Sequence, residues 1–538
     1  MTSKLTSAAL RSDTGPEISR LFNKAVAAHQ NGGFVEAERL YKTVLAHDAD
    51  HFDALHLLGF LNYQRGRLDE AVKFLKSAVT RDGTSAEALW NLGLALHGLQ
   101  HWEDALASYT AALALDPENP DLLNVRAVAL LDLERPQEAL AQIDRALTIS
   151  PGHVEALGNR GNAFIKLNRP DEAIVAYDAA LRTTGADAQL LTNRAHTLRR
   201  LDRVDEAQAE LRKAIALRPD FAEAHFELGM TQLALGDFEN GWNAYERRWA
   251  TAAFAARRRS FKSPLWTGEQ SLRGKTVLLH AEQGFGDTIQ FVRYAPMIAA
   301  LGATVILEVQ PELVSLLSGT AGSAQVIARG QKFPRFDLHC PLMSLPRAFK
   351  TRLATIPAQV PYIRASDTRA QNWARRLPAR RPLIGIAWAG HRSHRNDLNR
   401  SLHLARLAPI FRAADAQFIG LQRELRPGDA ASLRDHRDVL NWGPDLHDFV
   451  DTAALISQLD AVISVDTAVA HLAGAMGKRL FLLLPYAADF RWLRACSESP
   501  WYPTARLLRQ PKFADWESVI ETLAAQLAAF ASSSRASR

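Results

Sequence analysis

One spacing governs the first half of this sequence. Ala37, Ala71, Ala105, Ala139, Ala173 and Ala207 follow one another at intervals of 34 residues without an insertion, and Gly241 continues the register. Four residues after each comes a large apolar or aromatic side chain: Tyr41, Leu75, Tyr109, Ile143, Tyr177, Leu211 and Tyr245. Twelve residues before each comes a small one: Ala25, Gly59, Gly93, Ala127, Gly161, Ala195 and Gly229. Self-similarity at such a period marks a stack of identical supersecondary units, each burying its apolar face only against its neighbours. A small residue facing a large one lets two helices approach closely. Pro117, Pro151 and Pro219 stand where one unit ends and the next must turn. The expected product is a right-handed solenoid of helix pairs, with the first helices lining a concave groove.

This small–large–turn pattern resembles the tetratricopeptide repeat in every unit, and the grooves of such arrays hold peptides. Within the groove helices two further series share a register. Asn91, Asn159 and Asn193 occupy one position, interrupted by Leu57 and Val125; Arg126, Arg160 and Arg194 occupy the next. An amide can both donate to and accept from an extended peptide backbone, whatever its sequence. The asparagine series resembles the ladder with which O-linked N-acetylglucosamine transferases grip acceptor proteins. Asn and Arg at these positions equally serve repeats with other tasks, solvating or capping the helices.

Composition bounds the alternatives. The 538 residues exceed one ordinary domain, and 47% hydrophobic with 23% charged residues is the balance of a soluble globular chain. The net charge of +6 favours acidic groups such as phosphates. No aromatic residues interleave a basic stripe and no zinc-finger spacing occurs, so nucleic acid is not an expected partner. Cys340 and Cys496 stand far apart without neighbouring metal ligands, which disfavours a disulfide framework or a metal site. The start is polar, without the apolar core of a signal peptide, and no apolar run approaches membrane-spanning length. The expected compartment is the cytoplasm.

After Gly241 the pattern changes. Residues 256–274, with Arg257, Arg258 and Arg259, read as a basic linker whose arginines form a solvated run. Short apolar runs then alternate with helical stretches: strands at 276–282, 304–309 and 325–328, and, after Pro382, at 383–388, 417–421, 461–465 and 479–484. Such alternation predicts doubly wound parallel sheets, and its restart predicts two of them with a cleft between. The expected layout is a disordered N-terminus over 1–16, repeats over 17–250 (about seven units, the last partial), a linker over 251–273, a first α/β domain over 274–370, a second over 380–530 and a disordered tail over 531–538.

Three segments in this half carry chemistry. Gly284-Phe285-Gly286-Asp287 follows the first strand, where glycines let a ligand approach the backbone. It is not the GxGxxG of dinucleotide sites. Residues 388–401, with Gly390, His394, Arg395, Arg400 and Ser401, follow a strand end, where open α/β sheets bind ligands and cations can hold a diphosphate. In Val465-Asp466-Thr467…His471, Asp466 or Thr467 is expected to cap a helix whose free N–H groups suit a phosphate, while His471 either faces the ligand or packs beneath the sheet.

Together, over about 274–530, these segments and Pro296 resemble the heptosyltransferase family of glycosyltransferases (family nine), which adopts the GT-B fold. Repeats followed by such a part also resemble bacterial tetratricopeptide glycosyltransferases. The resemblance implies roles. Asp287 matches the family's general base. Arg400 stands at the cationic position that neutralises the leaving diphosphate, where the family has lysine. Asp466, Thr467 and their helix hold the pyrophosphate. Gln422 reaches the base or ribose, and Asp489, Arg491 and Trp492 shape the sugar pocket. Ala468 departs from the family's usual glycine. No Asp-x-Asp motif of metal-dependent transferases is present, which fits a GT-B enzyme needing no metal or cofactor besides its nucleotide-sugar substrate.

The sequence therefore predicts an all-α solenoid followed by a GT-B-like α/β pair. The expected activity moves a sugar from a nucleotide diphosphate to an acceptor, a protein held by Asn91, Asn159 and Asn193. The competing expectation is a scaffold whose transferase part no longer turns over.

Overall fold

The computed structural model describes residues 15–379, 382–394, 396–436 and 438–536. Arg395, residues 1–14 of the expected disordered N-terminus and the last two residues of the expected tail lie outside them. Tertiary contacts divide the chain into two compact units, one ending at Arg194 and one beginning at Ala195.

The first unit is all helix. Its pairs are Pro16–Gln30 with Phe34–His47, Phe52–Gln64 with Leu68–Arg81, Ala86–Gly98 with Trp102–Leu115, Pro120–Asp132 with Pro136–Ile149, and Val154–Lys166 with Pro170–Thr184; helix Ala188–Arg200 crosses the boundary. The period has a direct packing cause. A Cβ on Gly93 would lie 2.4 Å from the Tyr109 ring, and one on Gly161 would lie 2.4 Å from Tyr177. Ala71, Ala105, Ala139 and Ala173 are fully buried. The turn inside each pair repeats as well: positive φ recurs every 34 residues at Gly32, Gly66, Gln100, Glu134, Asn168 and, in the second unit, Asp202 and Gly236. Glycine adopts that conformation without strain, whereas Gln100 and Glu134 hold it because packing on both sides dictates the turn.

The second unit opens with helices Val204–Leu217, Ala222–Ala234 and Phe238–Tyr245 and continues into two parallel sheets. The smaller sheet contains β1 (Thr276–His280), β2 (Thr304–Val309), β3 (Ser323–Ala328) and β4 (Leu338–Pro341), in the order β3-β2-β1-β4. The larger contains β5 (Leu383–Ala387), β6 (Gln417–Gly420), β7 (Val439–Asn441), β8 (Ala461–Val465), β9 (Leu480–Leu484) and β10 (Ala505–Arg509), in the order β10-β9-β8-β5-β6-β7. This part is α/β, as expected. Strands β5, β8 and β9 are buried along their whole length because both faces are covered. Their alternate residues enter different cores: Ile384, Ile386, Ile463 and Leu483 pack with the helix beginning at Trp516, while Leu383, Val462 and Leu482 face the other way. That second core is continuous with Val277 and Leu307 of the small sheet and with Phe238 and Trp242 of the last repeat. Trp242 is 2% exposed and meets Phe238, Phe291 and Phe490 edge-on.

Some elements differ from expectation. The helical stretch that follows β1 is broken into Phe285–Phe291, a tight turn at 292–294 and Ala295–Ala300, because Pro296 must sit in a first turn. The stretch read as a linker packs on the small sheet: Trp266 is buried and its backbone N–H donates to the His339 carbonyl at 2.8 Å. The final helix runs to Ala536, into the expected tail. Among the described residues no helix is long and apolar enough to cross a membrane.

Candidate functional site

A cleft of about 1330 Å³ lies where the strands of both sheets end. Residues leaving β1 (Gly284, Asp287), β2 (Gln310), β3 (Arg329), β5 (Gly390, His394, Arg400), β6 (Gln422), β8 (Asp466, Thr467, His471) and β9 (Asp489, Arg491) line it. Convergence of carboxyl-terminal strand ends is the usual ligand position in open α/β sheets. Of the described residues expected at the donor site and its sugar pocket, Ser401 and Trp492 are missing from this lining.

At the exit of β8, Thr467 occupies the N-cap of helix Ala468–Ala475, but no side chain caps it. The expected cap is therefore not made: the Thr467 hydroxyl pairs with Ser464 Oγ at 3.0 Å instead. The first N–H groups of the helix are left facing the cleft, where the helix dipole favours an anion. Arg400 Nη1 donates to the Asp466 carbonyl at 2.7 Å. Its guanidinium lies against Gly390 so closely that a Cβ there would stand 2.5 Å from Nη2. The glycine is thus required by the arginine rather than by a backbone turn.

The loop carrying Arg400 is braced from behind. Ser401 Oγ accepts the Gly390 N–H at 3.0 Å and donates to Asp397 Oδ1 at 2.7 Å. Arg426, which the sequence did not single out, donates to Asp397 Oδ2 at 2.6 Å and to the Gly390 carbonyl at 3.0 Å. Ser401 is therefore a strut and not a ligand contact. Gln422 Oε1 accepts the Ala389 N–H at 3.1 Å and its Nε2 donates to the Glu424 carbonyl at 3.2 Å, so this amide also braces the loop while lining the cleft. His394 keeps an exposed edge, yet partial desolvation by its neighbours and the nearby Arg400 lower its pKa to about 4.

Arg491 joins the two sheets. It donates to Asp287 Oδ1 at 2.5 Å, to Gln290 Oε1 at 2.7 Å and to Asp489 Oδ1 at 2.7 Å. The other Asp287 oxygen accepts the Gly284 N–H at 2.8 Å and closes the turn before helix Phe285–Phe291. Burial pushes the Asp287 carboxyl above its ordinary value, against the pull of Arg491. Asp489, doubly bonded to Arg491, is lowered although burial opposes this. Among the described residues no guanidinium bonds the Asp466 carboxylate, and burial beside Asp489 raises it to about 6. Between these carboxylates lies His471, its Nδ1 at 2.9 Å from Tyr502 Oη and its ring stacked on Trp492 at 5.3 Å. Burial and Arg491 lower its pKa to about 3. It forms a neutral floor under Gly286, whose missing side chain leaves room for it.

Of the arginines read as a solvated run, Arg257 and Arg258 are exposed as expected, and only Arg259 is drawn inward. Arg257 and Arg259 line the cleft, and Arg259 pairs with the buried Glu308. Trp249 joins them from the last repeat, where Arg248 is fully buried between Glu246 and Glu282.

Models of the tetratricopeptide repeat match residues 28–95, 80–120, 91–154, 127–190 and 195–236. These helix pairs are tetratricopeptide repeats. The chain is also similar to Protein FlbA of Caulobacter vibrioides, 27% identical over 339 residues, covering 58% of this chain and 56% of that protein. The chain thus spans about half the length of this curated relative. The match is longer than the chain up to residue 236, so the likeness extends past the repeats. Among solved structures, a tetratricopeptide repeat protein from Parabacteroides merdae matches 44% of this chain and 94% of its own, at 20% identity and a TM-score of 0.41. YrrB, described as a tetratricopeptide protein with an unusual peptide-binding site, matches 34% of this chain and 95% of its own, at 23% identity and a TM-score of 0.29.

Within the tetratricopeptide array the amide series is taken up by neighbouring side chains. Asn91 is 4% exposed and its amide pairs with His56 at 2.9 Å, which closes it to a groove ligand. Asn159 donates to Asn124 at 2.9 Å, and Asn193 reaches Asn162 at 3.4 Å, leaving both half-buried. The arginine series turns to the preceding helix: Arg126 to Thr110, Arg160 to Asp144 and Arg194 to Asp178.

Proposed function

We propose that the second unit is a GT-B-type glycosyltransferase that takes a nucleotide-diphosphate sugar, and that the tetratricopeptide repeats recruit a protein acceptor. The observation carrying this reading is the joint approach of Arg400 and the uncapped helix Ala468–Ala475 to one point of the cleft. A guanidinium and a helix N-terminus stabilise the charge that develops on a leaving diphosphate. The braces behind Gly390 hold the guanidinium in place before the ligand arrives, so little reorganisation is required.

In this reading the acceptor hydroxyl enters from the small sheet. Asp287, a carboxyl raised by burial, takes its proton as the new bond to the sugar forms. Arg491 holds Asp287, from the small-sheet side, and Asp489, from the large-sheet side, on one guanidinium. Gln422 and the exit of β6 receive the nucleoside. A second reading, a binding module with a non-catalytic cleft, draws on Asp287, whose two oxygens are already bonded to Arg491 and Gly284.

Release of nucleoside diphosphate from a series of nucleotide sugars separates the two. The transferase reading predicts release from one donor by the wild type, and none by Arg400→Ala. Tight donor binding without release by the wild type would establish the binding module.

A further inference from the structure

The flank of the small sheet carries a charge pattern that the donor site does not use. Residues 257–263 and 329–336 run side by side, held by aromatic packing. The Phe261 ring meets Phe333 at 5.8 Å, Phe336 at 5.6 Å and His339 at 4.5 Å, and Ser263 Oγ donates to the Phe336 carbonyl at 2.9 Å. Arg259 lies 5.0 Å from both the Phe261 and Phe333 rings and pairs with buried Glu308. With the rings turned inward, the remaining cations stay exposed, although Arg329 Nη2 also donates to the Ala281 carbonyl at 2.5 Å and the Arg257 guanidinium lies 5.6 Å from the Phe254 ring. Arg257, Arg258, Lys262, Arg329, Lys332 and Arg335 are all exposed. None of them is in an ion pair among the described residues. Arg257 and Arg329 also line the cleft, so the row begins at its rim.

We propose that this row of cations holds an acidic polypeptide segment flanking the acceptor residue. The proposal rests on the reading of the second unit as a transferase with a protein acceptor. Complementary charge along an approach path raises the association rate and selects the partner. The row continues into a cleft, which an extended chain can follow and a flat membrane surface cannot. The rings between the cations are half-buried against one another, so they offer no platform for stacking bases.

The test uses the full chain and two fluorescein-labelled peptides, one alternating Glu and Ser, the other Lys and Ser, followed by anisotropy at low salt. The Glu/Ser peptide should bind and the Lys/Ser peptide should not. The triple variant Lys262→Glu, Lys332→Glu, Arg335→Glu changes no cleft-lining residue. It should weaken Glu/Ser binding by about tenfold or more. Its melting temperature shift with nucleoside diphosphates should equal that of the wild type, which shows that the fold and the donor site survive. Equal binding of the two peptides, or unchanged Glu/Ser binding in the variant, overturns the proposal. So does tighter binding of phosphatidylserine vesicles or of single-stranded DNA than of the Glu/Ser peptide. A wild type that binds this peptide through the row but no nucleotide would keep the row and remove the transferase reading.

Discussion

Gly390 and Arg400 make the closest approach in the donor loop, and it can be tested with one methyl group. A Cβ on Gly390 would stand 2.5 Å from Arg400 Nη2, 2.9 Å from Cζ and 3.1 Å from Nε. The backbone there is not left-handed, so Gly390→Ala introduces no φ strain. The obstructing atoms are the far end of a flexible side chain, which can swing away. The expected loss of stability is therefore below about 1 kcal/mol. The guanidinium, however, must leave the Asp466 carbonyl, 2.7 Å away, and with it the position facing the cleft. One hydrogen bond to a charged group is worth about 1.5–3 kcal/mol, so nucleoside diphosphate affinity should fall about 10- to 150-fold. Calorimetric titration of the wild type, Gly390→Ala, Arg400→Ala and the double variant measures this. The alanine variant should lose most of what Arg400→Ala loses, and the double variant no more than Arg400→Ala alone. Wild-type affinity in Gly390→Ala, or losses that add, would refute the claim that the glycine exists to seat the arginine.

Asp287→Asn should lower donor turnover by at least about a hundredfold while leaving nucleoside diphosphate affinity within about threefold, since a general base acts on the acceptor; an unchanged rate removes Asp287 from that role. Asp397→Ala leaves Arg426 without its buried carboxylate and should cost about 3–5 kcal/mol in urea unfolding, whereas a change under about 1 kcal/mol would show that the brace is dispensable. His471 stays neutral in the folded chain down to about 3, while the unfolded chain protonates near the ordinary 6.5. Its contribution is present above 6.5 and is lost as pH falls, by up to about 1.4 kcal/mol per unit. His471→Gln should flatten the acid limb of the stability profile by that amount, and an unchanged slope would show the imidazole to be charged already. Asp466 is raised to about 6, so a diphosphate beside it should bind more tightly below that pH than above it, and equal affinity at both would place the diphosphate elsewhere.

The repeats were legible because one packing relation, a small residue facing a large one, recurs in fixed register. The main strands were legible as apolar runs buried on both faces. Strands β4, β7 and β10 were not: Leu338–Pro341 contains a histidine and a proline, Val439–Asn441 is only three residues long, and Ala505–Arg509 has arginines on either side of two leucines. In the cleft, strand-end position picked out Arg400, Asp466 and Asp287. Ser401 was misplaced because a hydroxyl beside a cationic loop reads the same whether it faces a ligand or a buried carboxylate. Arg426 and the reach of Arg491 across the cleft were invisible for another reason. Arg491 and Asp287 are 204 positions apart, and only the folded sheets bring them together. Asn91 shows the converse: its register is that of a groove residue, yet His56 one repeat earlier takes its amide.

The central claim is that the cleft holds a nucleotide diphosphate. Thermal unfolding of the intact chain against a panel of nucleoside diphosphates and nucleotide sugars tests it most directly, because a ligand that binds only the folded state raises the melting temperature by mass action. The account predicts a rise with one nucleotide family that disappears in Arg400→Ala. A panel without any rise, or a rise that survives in Arg400→Ala, would contradict it.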